Sequence, residues 1–194
     1  SRQGCCVLLT TQMLDEAVRE LRGEPPSTLI DPDVNLPVPA YIPEEYVPDI
    51  QLRLLFYKRF SQVQNDDELS DLRGEMQDRF GELPDEVDNL SEVMALKADM
   101  RRMRLRALES GPGRIVVTLG ADAEIDGNKL AGLVQRSKGG YRLTPELKLI
   151  ASIDPKKKEP GDLLAASKKV LRELLGCQKE EFLSVEGVGP KLRR

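Results

Sequence analysis

Between Tyr41 and Pro84, helix starts and stops follow one another so closely that only short, successive helices can occupy the stretch. Asp49, placed after Pro48, is suited to cap a helix running to about Val63, with Ile50, Leu54, Tyr57 and Phe60 facing inward. Asn65 or Asp66 caps the next helix, which stops at Gly81. Leu83-Pro84-Asp85 then restarts the chain into a longer helix to about Leu108, whose Val87, Leu90, Val93, Met94, Leu96, Met100 and Met103 recur on one face. Arg101, Arg102, Arg104 and Arg106 make its far end basic, which suits the negative pole of a helix C-terminus.

The flanks add extended structure. Val7 to Leu21 has apolar residues at helical spacing, ended by Gly23 and Pro25-Pro26. Asp33 to Ile42 alternates Val34, Leu36 and Val38 with Pro37 and Pro39, which predicts an extended edge strand. Gly111-Pro112-Gly113 is the clearest internal boundary. Beyond it, Arg114–Leu119 reads as a strand and Asn128–Gln135 as a short helix. Tyr141–Leu143 and Leu147–Ile153 read as a strand pair, and Asp162–Leu175 as a closing amphipathic helix. Lys156-Lys157-Lys158 is a solvated connector between prolines. The expected fold is α+β, with a helical part over 1–110, a small mostly antiparallel sheet plus a closing helix over 111–176, and a flexible tail over 177–194.

Composition narrows the chemistry. With 4% aromatic residues and no Trp, the core must be built from Leu, Val, Ile and Met. A net charge of −4 argues against a broadly basic nucleic-acid-binding surface. The chain has no His, the commonest general base, and no nucleophile elbow replaces it, so catalysis is not expected. Cys5, Cys6 and Cys177 have neither disulfide-framework nor zinc-site spacing, which leaves reduced thiols. No apolar run approaches the roughly 20 residues that span a bilayer, and the start does not read as a signal peptide, so the expected location is cytoplasmic with no membrane partner. A glycine-rich loop ending in Lys-Ser or Lys-Thr is missing, so neither nucleotide nor any other cofactor is expected to bind.

In order and spacing, Pro48-Asp49, Arg53-Leu54, Tyr57-Lys58-Arg59, Asp78-Arg79-Phe80-Gly81 and Pro84 resemble the C-terminal domain of the bacterial transcription-repair coupling factor family. The resemblance runs over roughly residues 8–176, with TQMLDEAV at 11–18 similar to the segment that enters the domain. Whole members of that family are DNA-translocating ATPases that displace stalled RNA polymerase and recruit excision repair, with the motor upstream of this module. The resemblance implies a regulatory domain that packs on the family's N-terminal module, itself similar to UvrB, and covers the face that recruits UvrA. RNA polymerase, UvrA and double-stranded DNA would then be engaged through other domains. Pro48, Asp49, Arg53, Tyr57, Arg79, Phe80, Gly81 and Pro84 are implied to be structural.

Glu75 and Asp78 are the residues singled out for such a contact. They lie three apart near a helix C-terminus, where the dipole disfavours acids unless an outside cation offsets them. The alternative is ordinary surface charge, with Asp78 paired to Arg79 or Arg73. Arg53, Lys58, Arg59 and Arg79, interleaved with Phe56, Tyr57 and Phe60, permit either a base-stacking surface or a buried aromatic face with solvated cations. The tail over 182–191 resembles the turn of a helix-hairpin-helix element, without its second helix. Two further readings therefore stand: an accessory nucleic-acid-binding domain, and a purely structural domain.

Overall fold

The computed structural model describes residues 31–156 and 159–179. They form β1 (Asp33–Asn35), α1 (Ile50–Gln62), α2 (Asp66–Phe80), α3 (Asp85–Arg102), β2 (Leu105–Gly111), β3 (Arg114–Leu119), α4 (Gly127–Arg136), β4 (Tyr141–Leu143), β5 (Lys148–Ser152) and α5 (Pro160–Leu175). The expected α+β class is borne out, with five strands in the order β1-β2-β3-β5-β4. Only the short edge pair β1–β2 is parallel; the other pairs are antiparallel. The expected helix over 7–21, the thiols Cys5 and Cys6, Lys157, Lys158 and the hairpin-like tail fall outside the described residues.

Two apolar clusters hold the fold, and α3 belongs to both. Its first half sends Val87, Leu90 and Met94 into a cluster with Phe56, Phe60, Leu69, Leu72 and Met76 of α1 and α2. Its second half sends Leu96 and Met100 into the sheet core, against Leu105, Leu108, Ile115, Val117 and Leu149. Leu130 of α4 and Leu163, Leu164, Val170, Leu171 and Leu174 of α5 complete that core. A helix whose apolar stripe changes partner halfway along its length makes the helical part and the sheet one structure. Arg101 reinforces the junction, donating to Asp31 at 2.9 Å and to the backbone oxygens of Ser61 at 3.2 Å and Val63 at 3.4 Å.

Several expectations are corrected. The long helix ends at Arg102, not Leu108. Arg104 takes a left-handed φ of 54°, and Leu105 opens a strand. The ladder slips between Leu105 and Ala107, so Leu105 and Leu108 pair with Leu119 and Val117 and both enter the core. Without that bulge, residues three apart on a strand would face opposite ways. The bulge thus reproduces the spacing of a helix in a strand. Gly111-Pro112-Gly113 is the turn of the β2–β3 hairpin, with Gly113 at φ 66°, so the division drawn at 110 falls within a strand.

The strand expected over Asp33–Ile42 is reduced to Asp33–Asn35. Pro37 offers no N–H, and the Val38 N–H turns back to the Leu36 carbonyl at 2.8 Å. Val34, Leu36 and Val38 still pack against the sheet core. On α1 the inward face is Phe56 and Phe60; Ile50 is 58% exposed. At the C-terminal side, Cys177 and Gln178 are buried, and the Asp126 N–H donates to the Cys177 carbonyl at 2.8 Å, so the chain stays anchored past 177.

Candidate functional site

Where α1 passes α2, two arginines converge on one carboxylate. Arg59 Nη1 lies 2.6 Å from Glu75 Oε2, and Arg79 Nη1 lies 3.1 Å from Glu75 Oε1. Beneath them is the buried ring of Phe56, with the Arg59 guanidinium 5.6 Å and that of Arg79 5.7 Å from its centroid. Arg79 also stands 5.2 Å from the Phe80 ring, which meets Phe56 and Tyr46 edge-on at 5.8 Å each. The rings hold the guanidiniums by cation–π attraction, and Glu75 fixes their orientation. The hydrogen bond from Arg59 is the main cause holding the Glu75 carboxyl below its ordinary pKa, with Arg79 adding to it.

Asp78 fares differently. It is exposed, and it forms no ion pair among the described residues. Of its neighbouring cations, Arg79 is engaged by Glu75, and Arg73 by Asp88 of α3 at 2.6 Å. Neither pairing considered for Asp78 forms. It therefore stands in the last turn of α2, at the negative end of the dipole, without a counterion in the described structure. The local sequence spacing Glu75–Arg79 foreshadows one bridge, but nothing in the sequence marks Arg59 as the second cation.

The motif residues form the frame around this patch. Asp49 Oδ1 caps α1 by accepting from Gln51 N at 2.7 Å and Leu52 N at 3.1 Å. Arg53 Nη1 donates to the carbonyls of Val47 at 2.7 Å and Pro48 at 3.0 Å, tying the lead-in to its own helix. The Tyr57 hydroxyl accepts from Ile42 N at 2.7 Å, and burial raises its pKa. Tyr46 donates its hydroxyl toward the carbonyls of Met76 at 3.1 Å and Gly81 at 2.9 Å. Gly81, at φ 93°, ends α2, and the Pro84 carbonyl accepts from Val87 at 3.0 Å and Asp88 at 3.1 Å to start α3.

The basic-aromatic run does not present a stacking surface, because Phe56 and Phe60 are buried. Lys58 is exposed. The arginines at 101–106 are largely engaged: Arg101 as above, Arg104 with Glu124 at 3.7 Å and Arg106 with Asp122 at 2.8 Å. Arg102 instead lines a cleft of about 320 Å³ between α3 and α5, together with Asp66, Asp99, Lys168 and Arg172. Burial raises the pKa of Asp99 in that cleft. Cys177 is a buried free thiol whose pKa burial also raises, which makes it unreactive.

A family model described as the TRCF domain matches residues 36–130. The transcription-repair-coupling factor of Myxococcus xanthus is 60% identical over 166 residues, covering 86% of this chain and 14% of that protein. Those of Bacillus subtilis and Escherichia coli are 33% identical over 180 residues and 31% identical over 156, covering 91% and 77% of this chain. The chain spans 14% to 15% of the length of these relatives. A crystal structure of the C-terminal domain of transcription-repair coupling factor matches with a TM-score of 0.60 at 21% identity, covering 75% of this chain and 95% of that one, and shares the fold. By sequence and by fold, the chain belongs to the transcription-repair coupling factor family and is a C-terminal domain of that family.

Proposed function

We propose that this domain is a non-catalytic regulatory clamp. It docks on the UvrB-like N-terminal module of its own protein, masks the surface that binds UvrA, and restrains the ATP-dependent DNA translocase. RNA polymerase, UvrA and double-stranded DNA are engaged by other domains of the full-length protein, in the cytoplasm. The observation that carries the reading is the carboxylate of Asp78 at the negative end of α2, without an ion pair among the described residues, beside a Glu75 whose arginines hold it in place. A basic face on the partner would supply the missing counterion. Tethering within one protein gives a high effective concentration, so a modest contact suffices and remains easy to release.

The test is binding of the domain to the isolated N-terminal module at low and moderate salt. Asp78→Asn removes the charge without disturbing the Glu75 bridge, and it is expected to weaken binding and flatten the salt dependence. A Glu75→Ala, Asp78→Ala double variant should weaken it further. Unchanged affinity in both variants, or no binding by a folded domain, would overturn the reading. Salt-sensitive binding of duplex DNA in its place would support the accessory nucleic-acid role.

A further inference from the structure

The far end of the molecule carries a second surface, built on the β4–β5 hairpin. β4 is an edge of the sheet. The Ser152 N–H donates to the Gly140 carbonyl at 2.8 Å and the Thr144 N–H to the Lys148 carbonyl at 2.9 Å, which fixes the even-numbered residues of β4 as those bonded to β5. Tyr141 and Leu143 therefore turn their backbone groups outward. The Tyr141 N–H is taken by Ser137 Oγ at 3.0 Å, whereas the N–H and carbonyl of Leu143 have no partner among the described residues.

The side chains here are equally unusual. Leu143 is 39% and Leu147 42% exposed, and neither joins the two apolar clusters. Leu147 also holds a left-handed φ of 58°. That backbone is needed, since its carbonyl receives the Leu119 N–H at 2.8 Å, but glycine or asparagine would supply it with less strain. A leucine side chain held exposed at a strained position offers an apolar contact surface. The charge here also departs from the chain's net −4: Arg142, on the open face of the hairpin, and Lys138, in the turn before it, form no ion pair among the described residues, while Lys148 is partly balanced by Glu146 of the hairpin turn.

We propose that β4 is a docking edge for an extended, acidic segment of a partner protein, which adds to the sheet as a further strand. The register dictates the pattern of that segment. Its backbone meets the free N–H and carbonyl of Leu143, aliphatic side chains lie on the Leu143–Leu147 side, and carboxylates alternate with them on the Arg142 side. This surface is separate from the Asp78 patch and does not depend on the clamp.

The test uses the full chain, isotope-labelled, with a capped peptide of alternating valine and glutamate as probe. The peptide is expected to shift the amides of 141–147 and to slow hydrogen exchange at Leu143. A valine–lysine peptide should bind at least about fivefold more weakly, and Arg142→Glu should reverse that preference. Leu147→Gly separates docking from folding, because relief of the left-handed strain keeps or raises Tm while the peptide affinity falls. Equal binding of the two peptides, an unprotected Leu143 amide, full affinity in Leu147→Gly, or tighter binding of a single-stranded oligonucleotide than of the acidic peptide would each overturn the proposal.

Discussion

Arg59 and Glu75 lie on successive helices, and their 2.6 Å ion pair is what orients the basic patch. Glu75 thereby engages its charge inside the domain, while Asp78, one turn on, forms no ion pair among the described residues. The two acids are neighbours in different settings: one orients arginines, and the other forms no ion pair among the described residues.

Acid should loosen this patch. Because Arg59 and Arg79 hold the folded-state pKa of Glu75 below its unfolded value, its contribution is fully present above the unfolded pKa of about 4.3 and is lost as pH falls through the lower folded value. Urea denaturation from neutral pH down to about pH 3 is expected to show a smaller stability loss in Glu75→Gln than in the parent. At neutral pH that variant should cost at most about 1 kcal/mol, since both partners are partly exposed.

Phe56→Ala and Ile50→Ala should differ sharply although both lie on α1. Phe56 is 0% exposed and bears two guanidiniums, so its truncation is expected to cost about 3–5 kcal/mol. Ile50 is 58% exposed, and its replacement should stay within about 0.5 kcal/mol. Equal losses in chemical denaturation would mean that α1 is rotated from the described face.

A glycine inside α2 and the glycine that ends it should respond with opposite signs. Gly74 sits inside α2 with open space around it, and Ala there should stabilise by about 0.5–1 kcal/mol. Gly81 needs φ 93°, which Ala adopts only under strain, so Gly81→Ala should destabilise by about 1 kcal/mol or more. Thermal melts of the two variants check both signs.

Deleting Arg106 should cost little more than substituting it. Arg106→Ala loses an exposed pair with Asp122, worth at most about 1 kcal/mol. Deletion removes the bulge but leaves Leu105 two residues before Leu108, so ordinary strand alternation keeps both on the core face and the loss is expected to stay close to that of Arg106→Ala. A loss of about 2–5 kcal/mol on deletion, as truncation of a buried leucine gives, would show that the bulge itself holds Leu105 in the core.

What could be read from the sequence alone was local. Asp49 and Asn65 announce their helices because a cap bonds to amides two or three residues on. Gly81 announces a stop, and Arg114–Leu119, the 141–152 hairpin and the closing helix each follow from side-chain period and nearby turn residues. The motif from Pro48 to Pro84 was legible as a family mark by residue order and spacing, although only some of its bonds are local, such as Arg53 to Val47, and others are not, such as Tyr46 to Gly81.

Tertiary structure decided the rest. Leu105 and Leu108 have helical spacing, but pairing with β3 outweighs local propensity and makes them strand. The parallel seat of Asp33–Asn35 beside Ala107–Glu109, the reach of Arg59 to Glu75 and the diversion of Arg73 to Asp88 all join residues distant along the chain. Which carboxylate stays open depends on which cations the folded helices bring near it. Three-dimensional packing, rather than any neighbour in the sequence, left Asp78 unpaired among the described residues and Glu75 satisfied.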